Sequence, residues 1–320
     1  GLHRGAVNRL SWMWRVYPFK DSEVCCHKTY LSFVDSVWEI FGPLLKGVPT
    51  VIIPEEVVMN PHLLVDNLAA AHVSRILLVP SLLRVLLDSC GDLQKRLFDL
   101  KIWVTSGEEI SVELAQRFGQ VMPEAKLINL YGSSEVSADV SCYEVADGRL
   151  DRCIPIGRPI DNASIYILDS HLQPVPVGVP GELYIGGVGL ARGYLNQPDF
   201  TAERFIPNPF GQEEVLFKTG DLGRYLADGN IEYLGRRDHQ VKVRGFRVEL
   251  AEIESRIKEL EAVGNCVVVV REDRPGDQRL TAYYVCKDTQ VVSASEVRRH
   301  LQAKLPEYML PQQFVKLSSI

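Results

Sequence analysis

Lys126-Leu-Ile-Asn-Leu-Tyr-Gly-Ser-Ser-Glu135 is an apolar run that stops at a polar, glycine-containing exit. Residues 126–130 read as a short buried strand ending at Tyr131-Gly132, and in open α/β sheets ligands bind beyond the carboxyl ends of the strands. At that exit Tyr131 offers a flat face, Ser133 and Ser134 offer hydroxyls, and Glu135 offers a carboxylate suited to a hard cation such as magnesium. A solvated strand-to-loop exit would carry the same residues. The rest of the chain decides between the two.

Working outward, residues 49–131 alternate: strands over 50–53, 75–79, 101–105 and 126–130, and helices over 61–71, 81–89 and 112–121. Asn60-Pro61 is a helix start, an N-cap followed by Pro at the first helical position. This alternation implies right-handed crossovers and a parallel sheet, hence an α/β fold. The loops at Pro80, at Ser106-Gly107 and at Tyr131-Gly132 should then share one edge. Upstream, residues 1–9 show no capping or turn signal. Val34, Asp35, Trp38 and Phe41 fall on one helical face, where an unpartnered acid would be costly, so Asp35 should meet water or a cation.

Downstream the texture changes to short strands and turns. Asp228-Gly229 between 224–226 and 231–233 is a hairpin signal. The glycines at 186, 187, 189 and 193 do not form a dinucleotide fingerprint, because Arg192 stands where the third glycine belongs, and they read as turn and bulge residues. Beyond Asp238 a small domain is expected, with a helix over 250–260, strands over 266–270 and 280–285, and a helix opened by the capping box Ser293-Ala-Ser-Glu296. In residues 240–249 Val241 and Val243 alternate with Lys242 and Arg244, a pattern that a solvated strand face would also give.

At 320 residues the chain is long enough for two domains. A net charge of −6 without a long basic run argues against nucleic acid as the main partner. No apolar run is long enough to span a membrane. Seven cysteines without a Cys-x-x-Cys pair fit reduced thiols in a cytoplasmic setting.

Gly181-Glu-Leu-Tyr-Ile-Gly-Gly-Val-Gly-Leu-Ala-Arg-Gly-Tyr-Leu195, Lys218-Thr-Gly-Asp221, Gly235-Arg-Arg-Asp-His-Gln-Val-Lys-Val-Arg-Gly-Phe-Arg-Val-Glu249 and Leu305-Pro-Glu-Tyr-Met309 resemble, in order, the signatures of nonribosomal peptide synthetase adenylation domains. These belong to the wider acyl-adenylate-forming superfamily. The resemblance runs over nearly the whole chain. It implies a layered αβαβα large domain over 1–237 that binds nucleotide and substrate, and a small, mobile α+β domain over 238–320 hinged at Asp238. It also implies that the phosphate loop falls before Gly1 and a catalytic lysine after Ile320, leaving the chain alone inactive or weakly active.

Residue by residue, the resemblance implies that Asn129 and Tyr131 contact adenine and that Glu135 binds Mg2+. Ser134 keeps a hydroxyl where the family usually has Thr, and Gly107 belongs to the nucleotide site. Asp221 would hold the ribose hydroxyls of ATP with help from Tyr233 and Arg236, and Lys242 would act in the thioester-forming step. The implied partners are an amino acid, the phosphopantetheine thiol of a peptidyl carrier domain, and neighbouring synthetase modules. The alternatives are an acyl- or aryl-CoA synthetase and a non-catalytic binding module.

The substrate expectation is sharper. In relatives that activate α-amino acids the first pocket position is an Asp that pairs with the α-ammonium. Aligned through Ser36-Val37-Trp38-Glu39, that position here is Val34, and the acid follows at Asp35. The remaining positions are Trp38, Leu78, Val104, Ser106, Leu130, Ala138 and Asp139, a set that resembles β-alanine-activating domains. One added methylene carries the ammonium away from the carboxylate, where Asp35 and Asp139 would receive it. Two facing acids without a cation would repel, and one would take up a proton.

Overall fold

The computed structural model describes residues 1–145, 153–211, 215–238, 240–243, 245–273, 278–287 and 292–318. In chain order the first part comprises α1 (His3–Val16), β1 (Cys25–His27), α2 (Asp35–Leu44), β2 (Thr50–Ile52), α3 (Glu55–Val58), α4 (Pro61–Ala70), β3 (Arg75–Leu78) and α5 (Pro80–Ser89). Then follow α6 (Leu93–Arg96), β4 (Ile102–Thr105), α7 (Val112–Val121), β5 (Lys126–Ser133), β6 (Ala138–Val145) and β7 (Arg158–Pro159). These seven strands form one sheet in the order β2-β1-β3-β4-β5-β6-β7. The first five run parallel, as the alternation implied, and β6 and β7 add antiparallel.

Asn60 caps α4 as expected, accepting from His62 N and Leu63 N. Strand periodicity sorts the core. Ile76, Leu78, Trp103 and Leu127 pack on one face with α4, α5 and α7, whereas Leu77, Val104, Ile128 and Leu130 face α1 and Trp38 on the other.

Three expectations need correction. Residues 3–16 are a 14-residue helix whose N-cap, Leu2, makes no side-chain hydrogen bond. The missing cap hid it, but Gly5, Arg9, Leu10, Trp12 and Met13 are buried along one face at helical spacing. In α2 the outer residue Phe41 is 45% exposed, and the buried positions are Ser36, Trp38, Glu39, Gly42 and Pro43. Finally, β5 does not end at Tyr131-Gly132. It runs on to Ser133 and turns into β6, with Gly132 opposite Asp139.

The remainder of the large unit is antiparallel. β8 (Ala163–Leu168), β9 (Gly181–Gly187), α8 (Pro198–Arg204), β10 (Phe205–Pro207), β11 (Val215–Tyr225) and β12 (Ile231–Arg236) build a sheet in the order β10-β11-β9-β8, with β12 paired to β11. Residues 226–230 close the expected hairpin, with Leu226 N donating to Asn230 O and Gly229 at φ +82°. Of the glycines at 186, 187, 189 and 193, Gly186 and Gly187 end β9, Gly189 lies in the turn that follows, and Gly187 and Gly193 have φ of +112° and +138°.

Chain contacts divide at Arg237/Asp238. The second unit contains the hairpin β13 (Gln240–Val243) and β14 (Phe246–Glu249), α9 (Leu250–Lys258), β15 (Val263–Glu272), β16 (Gln278–Cys286), α10 (Ala294–Gln302) and β17 (Gln313–Lys316). Ser293 and Glu296 form the expected capping box, and Val297, Leu301 and Leu305 face the core. Arg244 lies outside the described residues. All seven cysteines are free, and among the described residues no helix is long and apolar enough to cross a membrane.

Candidate active site

The β3 and β4 exits share an edge, and a single carboxylate ties them together. Glu108 accepts from Ser81 N at 2.8 Å and from Ser81 Oγ at 3.1 Å, so it caps the start of α5 from the loop that holds Ser106 and Gly107. Gly107 has φ +85°, a left-handed conformation that glycine adopts without strain.

The β5–β6 connection brings the next residues to this edge. Ser137 and Ala138 both have positive φ, +62° and +85°, strain of about 1–3 kcal/mol each that the surrounding contacts must hold. Ser137 Oγ donates to Gly189 O at 2.7 Å, and Gly5 of α1 packs directly on Ser137. Glu135, on the short 3-10 turn before it, is buried and accepts from Tyr194 Oη at 2.7 Å.

Asp139 follows on β6, 2% exposed, and here sequence reasoning missed a partner. Arg9 of α1 donates through Nε to Asp139 Oδ2 at 2.6 Å, while Ser106 Oγ donates to Oδ1 at 3.3 Å. The guanidinium carbon lies 5.2 Å from the ring centroids of both Trp12 and Trp38, a cation–π arrangement with each. The expectation that Asp139 and Asp35 jointly await a cation is therefore corrected: Asp139 already has one. Helical spacing of Arg9 with Trp12 and Met13 was the available signal.

Asp35 opens α2 and is half-buried, with Val34 as the N-cap residue. Burial, then the negative charge of Asp139, push its carboxyl up to about 7, while Arg9 and Lys28 pull it back. Trp38, Val104 and Leu130 share one apolar cluster beside it, and Ser106 and Ala138 are buried. Leu78 is not brought to that cluster. Alternation along β3 turns it into the core on the other sheet face, and Leu77 takes its place.

Glu39, also missed, fixes the position of α2. Its buried carboxylate accepts from Lys28 N at 3.0 Å, Thr29 N at 2.8 Å and Thr29 Oγ1 at 2.9 Å, and lies 3.1 Å from His27 Nδ1. A carboxylate so supplied with donors anchors the chain after β1 to the helix that carries Asp35 and Trp38.

The nucleotide-site candidates gather around Asp221, which is 6% exposed. Asp221 pairs with Arg236 of β12 where the β11 register shifts, after Asp221 on the β12 side and between Lys218 and Leu222 on the β9 side. Tyr131 Oη donates to its Oδ2 at 2.5 Å and Arg236 Nη1 to its Oδ1 at 2.6 Å. Tyr233 stands beside Tyr131, ring centroids 6.3 Å apart. Burial and the Asp221 charge hold the Tyr131 phenol well above its ordinary pKa, so it is the donor.

Asn129 is not delivered to this group. Its Nδ2 donates to Pro155 O at 2.9 Å and its Oδ1 faces Thr105 Oγ1, so its amide braces the strand from inside. Ser134 is exposed. Asp238 begins the second unit, where its carboxylate accepts from Gln240 N at 3.3 Å, and Lys242 lies on β13 opposite Arg247.

Among the described residues no group of three His, Cys, Asp or Glu could hold a metal. Glu135 offers a single buried carboxylate, whereas magnesium takes one or two protein carboxylates and completes its shell with phosphate and water.

The AMP-binding enzyme family matches residues 2–195, and the AMP-binding enzyme C-terminal domain matches residues 252–319. Bacitracin synthase 3 from Bacillus licheniformis is 40% identical over 318 residues, covering 99% of this chain and 5% of the relative. Vanchrobactin synthetase VabF from Vibrio anguillarum is 40% identical over 330 residues, covering 98% of this chain and 12% of the relative. The chain thus spans a small part of these relatives' length. An artificially fused adenylation-PCP di-domain of a nonribosomal peptide synthetase from Klebsiella oxytoca superposes with a TM-score of 0.83 at 30% identity, covering 99% of this chain and 62% of that one. IdnL1 superposes with a TM-score of 0.89 at 27% identity, covering 99% of this chain and 65% of that one. The chain belongs to the AMP-binding enzyme family, as an adenylation domain of the nonribosomal peptide synthetase type.

Proposed function

We propose that this domain activates a β-amino acid, most simply β-alanine, as its acyl adenylate at the expense of ATP, and that the acyl group then passes to the phosphopantetheine thiol of a carrier domain. The observation that carries the substrate reading is the position of the acid. Val34 sits at the helix cap and offers no charge, whereas Asp35, one residue on, is half-buried beside Trp38.

A carboxylate attacks phosphate poorly because both are negative, so the site must neutralise charge and align the groups. Asp35 would receive the ammonium and hold the substrate, while Trp38, Val104, Leu130 and Ala138 exclude water around its methylenes. Asp221, an acceptor-only group, suits the two ribose hydroxyls once Tyr131 and Arg236 share it with them. A magnesium ion held at Glu135 would supply charge neutralisation at the phosphates. Lys242, in the second unit, is proposed for the thioester-forming step.

The test is amino-acid-dependent pyrophosphate exchange by the intact protein with β-alanine, α-alanine, β-aminobutyrate, γ-aminobutyrate and propionate. A preference for β-alanine is expected. A preference for α-alanine or propionate would overturn the reading.

A further inference from the structure

The pocket holds a cation that the substrate reading does not use. Arg9 is 3% exposed, its Nε is on Asp139, and its Nη1 and Nη2 are buried with no hydrogen-bond acceptor among the described residues. Its planar head lies 5.2 Å from the Trp12 and Trp38 ring centroids. An arginine guanidinium is in general a permanent charge.

We propose that Arg9 is a specificity-determining residue: by pairing with Asp139 it withholds that carboxylate and leaves Asp35 as the one acceptor for the substrate's ammonium. This rests on the reading of Asp35 given above. The three groups Arg9, Asp35 and Asp139 sum to one negative charge, matched by one ammonium. The groups facing Asp35 are Asp139 from β6, Arg9 from α1, Glu39 from its own helix and Lys28 from the segment after β1. Glu39 and Lys28 are engaged with each other, 3.8 Å apart, so the Arg9–Asp139 pair is the adjustable element.

The pair makes a reciprocal prediction. In Asp139→Asn, Arg9 loses its carboxylate, and its unmatched Nη groups turn to Asp35 and compete with the ammonium. The amino-acid KM should rise about thirtyfold, while the ATP KM is unchanged. In Arg9→Met, Asp139 is left charged opposite Asp35, and the pH midpoint of the amino-acid KM should move up by about one unit. The double variant Arg9→Met/Asp139→Asn removes both charges, and should return the KM to within about threefold of wild type and the midpoint to its original position.

The experiment measures amino-acid and ATP KM from pH 5.5 to 9 for the intact protein and the three variants, by pyrophosphate exchange, alongside thermal unfolding. Rescue by the double variant supports the proposal. A double variant as impaired as Asp139→Asn would overturn it, because that is the outcome if Asp139 itself binds the ammonium. Should Arg9→Met unfold below the assay temperature, the comparison of Asp139→Asn with the double variant decides alone. The cycle uses the amino acid that the wild type prefers, so a wild type that favours α-alanine sinks the β-alanine reading while the rescue still reports on Arg9.

Discussion

Tyr131 Oη lies 2.5 Å from Asp221 Oδ2, joining β5 to β11 across 90 residues of sequence, and Arg236 takes the other oxygen of the same carboxylate. Both acceptors of Asp221 are thus engaged within the protein, and under the proposed function a ribose would have to share them. Asp221→Ala should remove the acceptors and take from Arg236, whose side chain is 10% exposed, the carboxylate that its Nη1 meets. The expected result is a rise in ATP KM of about a hundredfold together with a stability loss of about 3 kcal/mol, read by nucleotide titration and denaturant unfolding. Tyr131→Phe keeps the ring and releases one oxygen, so its ATP KM should stay within about threefold of wild type.

Asp35 sets a pH dependence. Its carboxyl is raised from 3.8 to about 7, so the folded, ligand-free protein holds this proton more tightly than the unfolded chain does. The associated stability is present below the unfolded value and is lost as pH rises toward 7. Asp35→Asn should therefore raise the ligand-free Tm relative to wild type at pH 8, with little gain at pH 4. Under the proposed function the substrate's ammonium would need the ionised form. Amino-acid KM should climb roughly tenfold per unit below pH 7 in the wild type, and Asp35→Asn should abolish both that slope and the β-alanine preference. A slope that survives the substitution would move the titrating group elsewhere.

Gly132 faces Asp139 across the β5–β6 pair so closely that an added Cβ would lie 1.8 Å from Ala138 O. Gly132→Ala must push apart the backbone that carries Glu135, Ala138 and Asp139. A stability loss of about 3 kcal/mol and loss of amino-acid use are expected, measured by thermal unfolding and exchange. A stable, active variant would mean that this connection is not held as described.

The proposed role of Lys242 makes the two half-reactions separable by mutation. It lies on the β13–β14 hairpin of the second unit. Lys242→Ala should leave pyrophosphate exchange within about twofold and slow aminoacyl transfer to a carrier thiol by at least about tenfold. Equal loss in both assays would remove Lys242 from the thioester step.

Much of the architecture was legible because it is written in local pattern. The alternation over residues 49–131, the Asn60-Pro61 start and the Ser293-Glu296 capping box each depend on neighbours a few positions apart, and each is present in the structure. The first helix was hidden because Leu2 provides no cap, and the strand β1 because three residues carry too little periodicity to show. The partners of the Asn129 amide were hidden for a different reason. A buried amide must satisfy its own hydrogen bonds, and Pro155 and Thr105 are nearest.

The sequence by itself determined the element types and the identity of the chemical groups: that an acid stands at 35 and not at 34, and that Tyr131, Glu135, Asp221 and Arg236 stand in family motifs. Only the tertiary structure decided which charges meet. Arg9 and Asp139 are 130 residues apart in sequence and 2.6 Å apart in space, and Leu78 and Leu77 exchange roles by the side of the sheet on which each falls. The physical reason is that a charge's partner is set by distance and burial, which no local pattern encodes, whereas a helix or strand is set largely by the residues beside it.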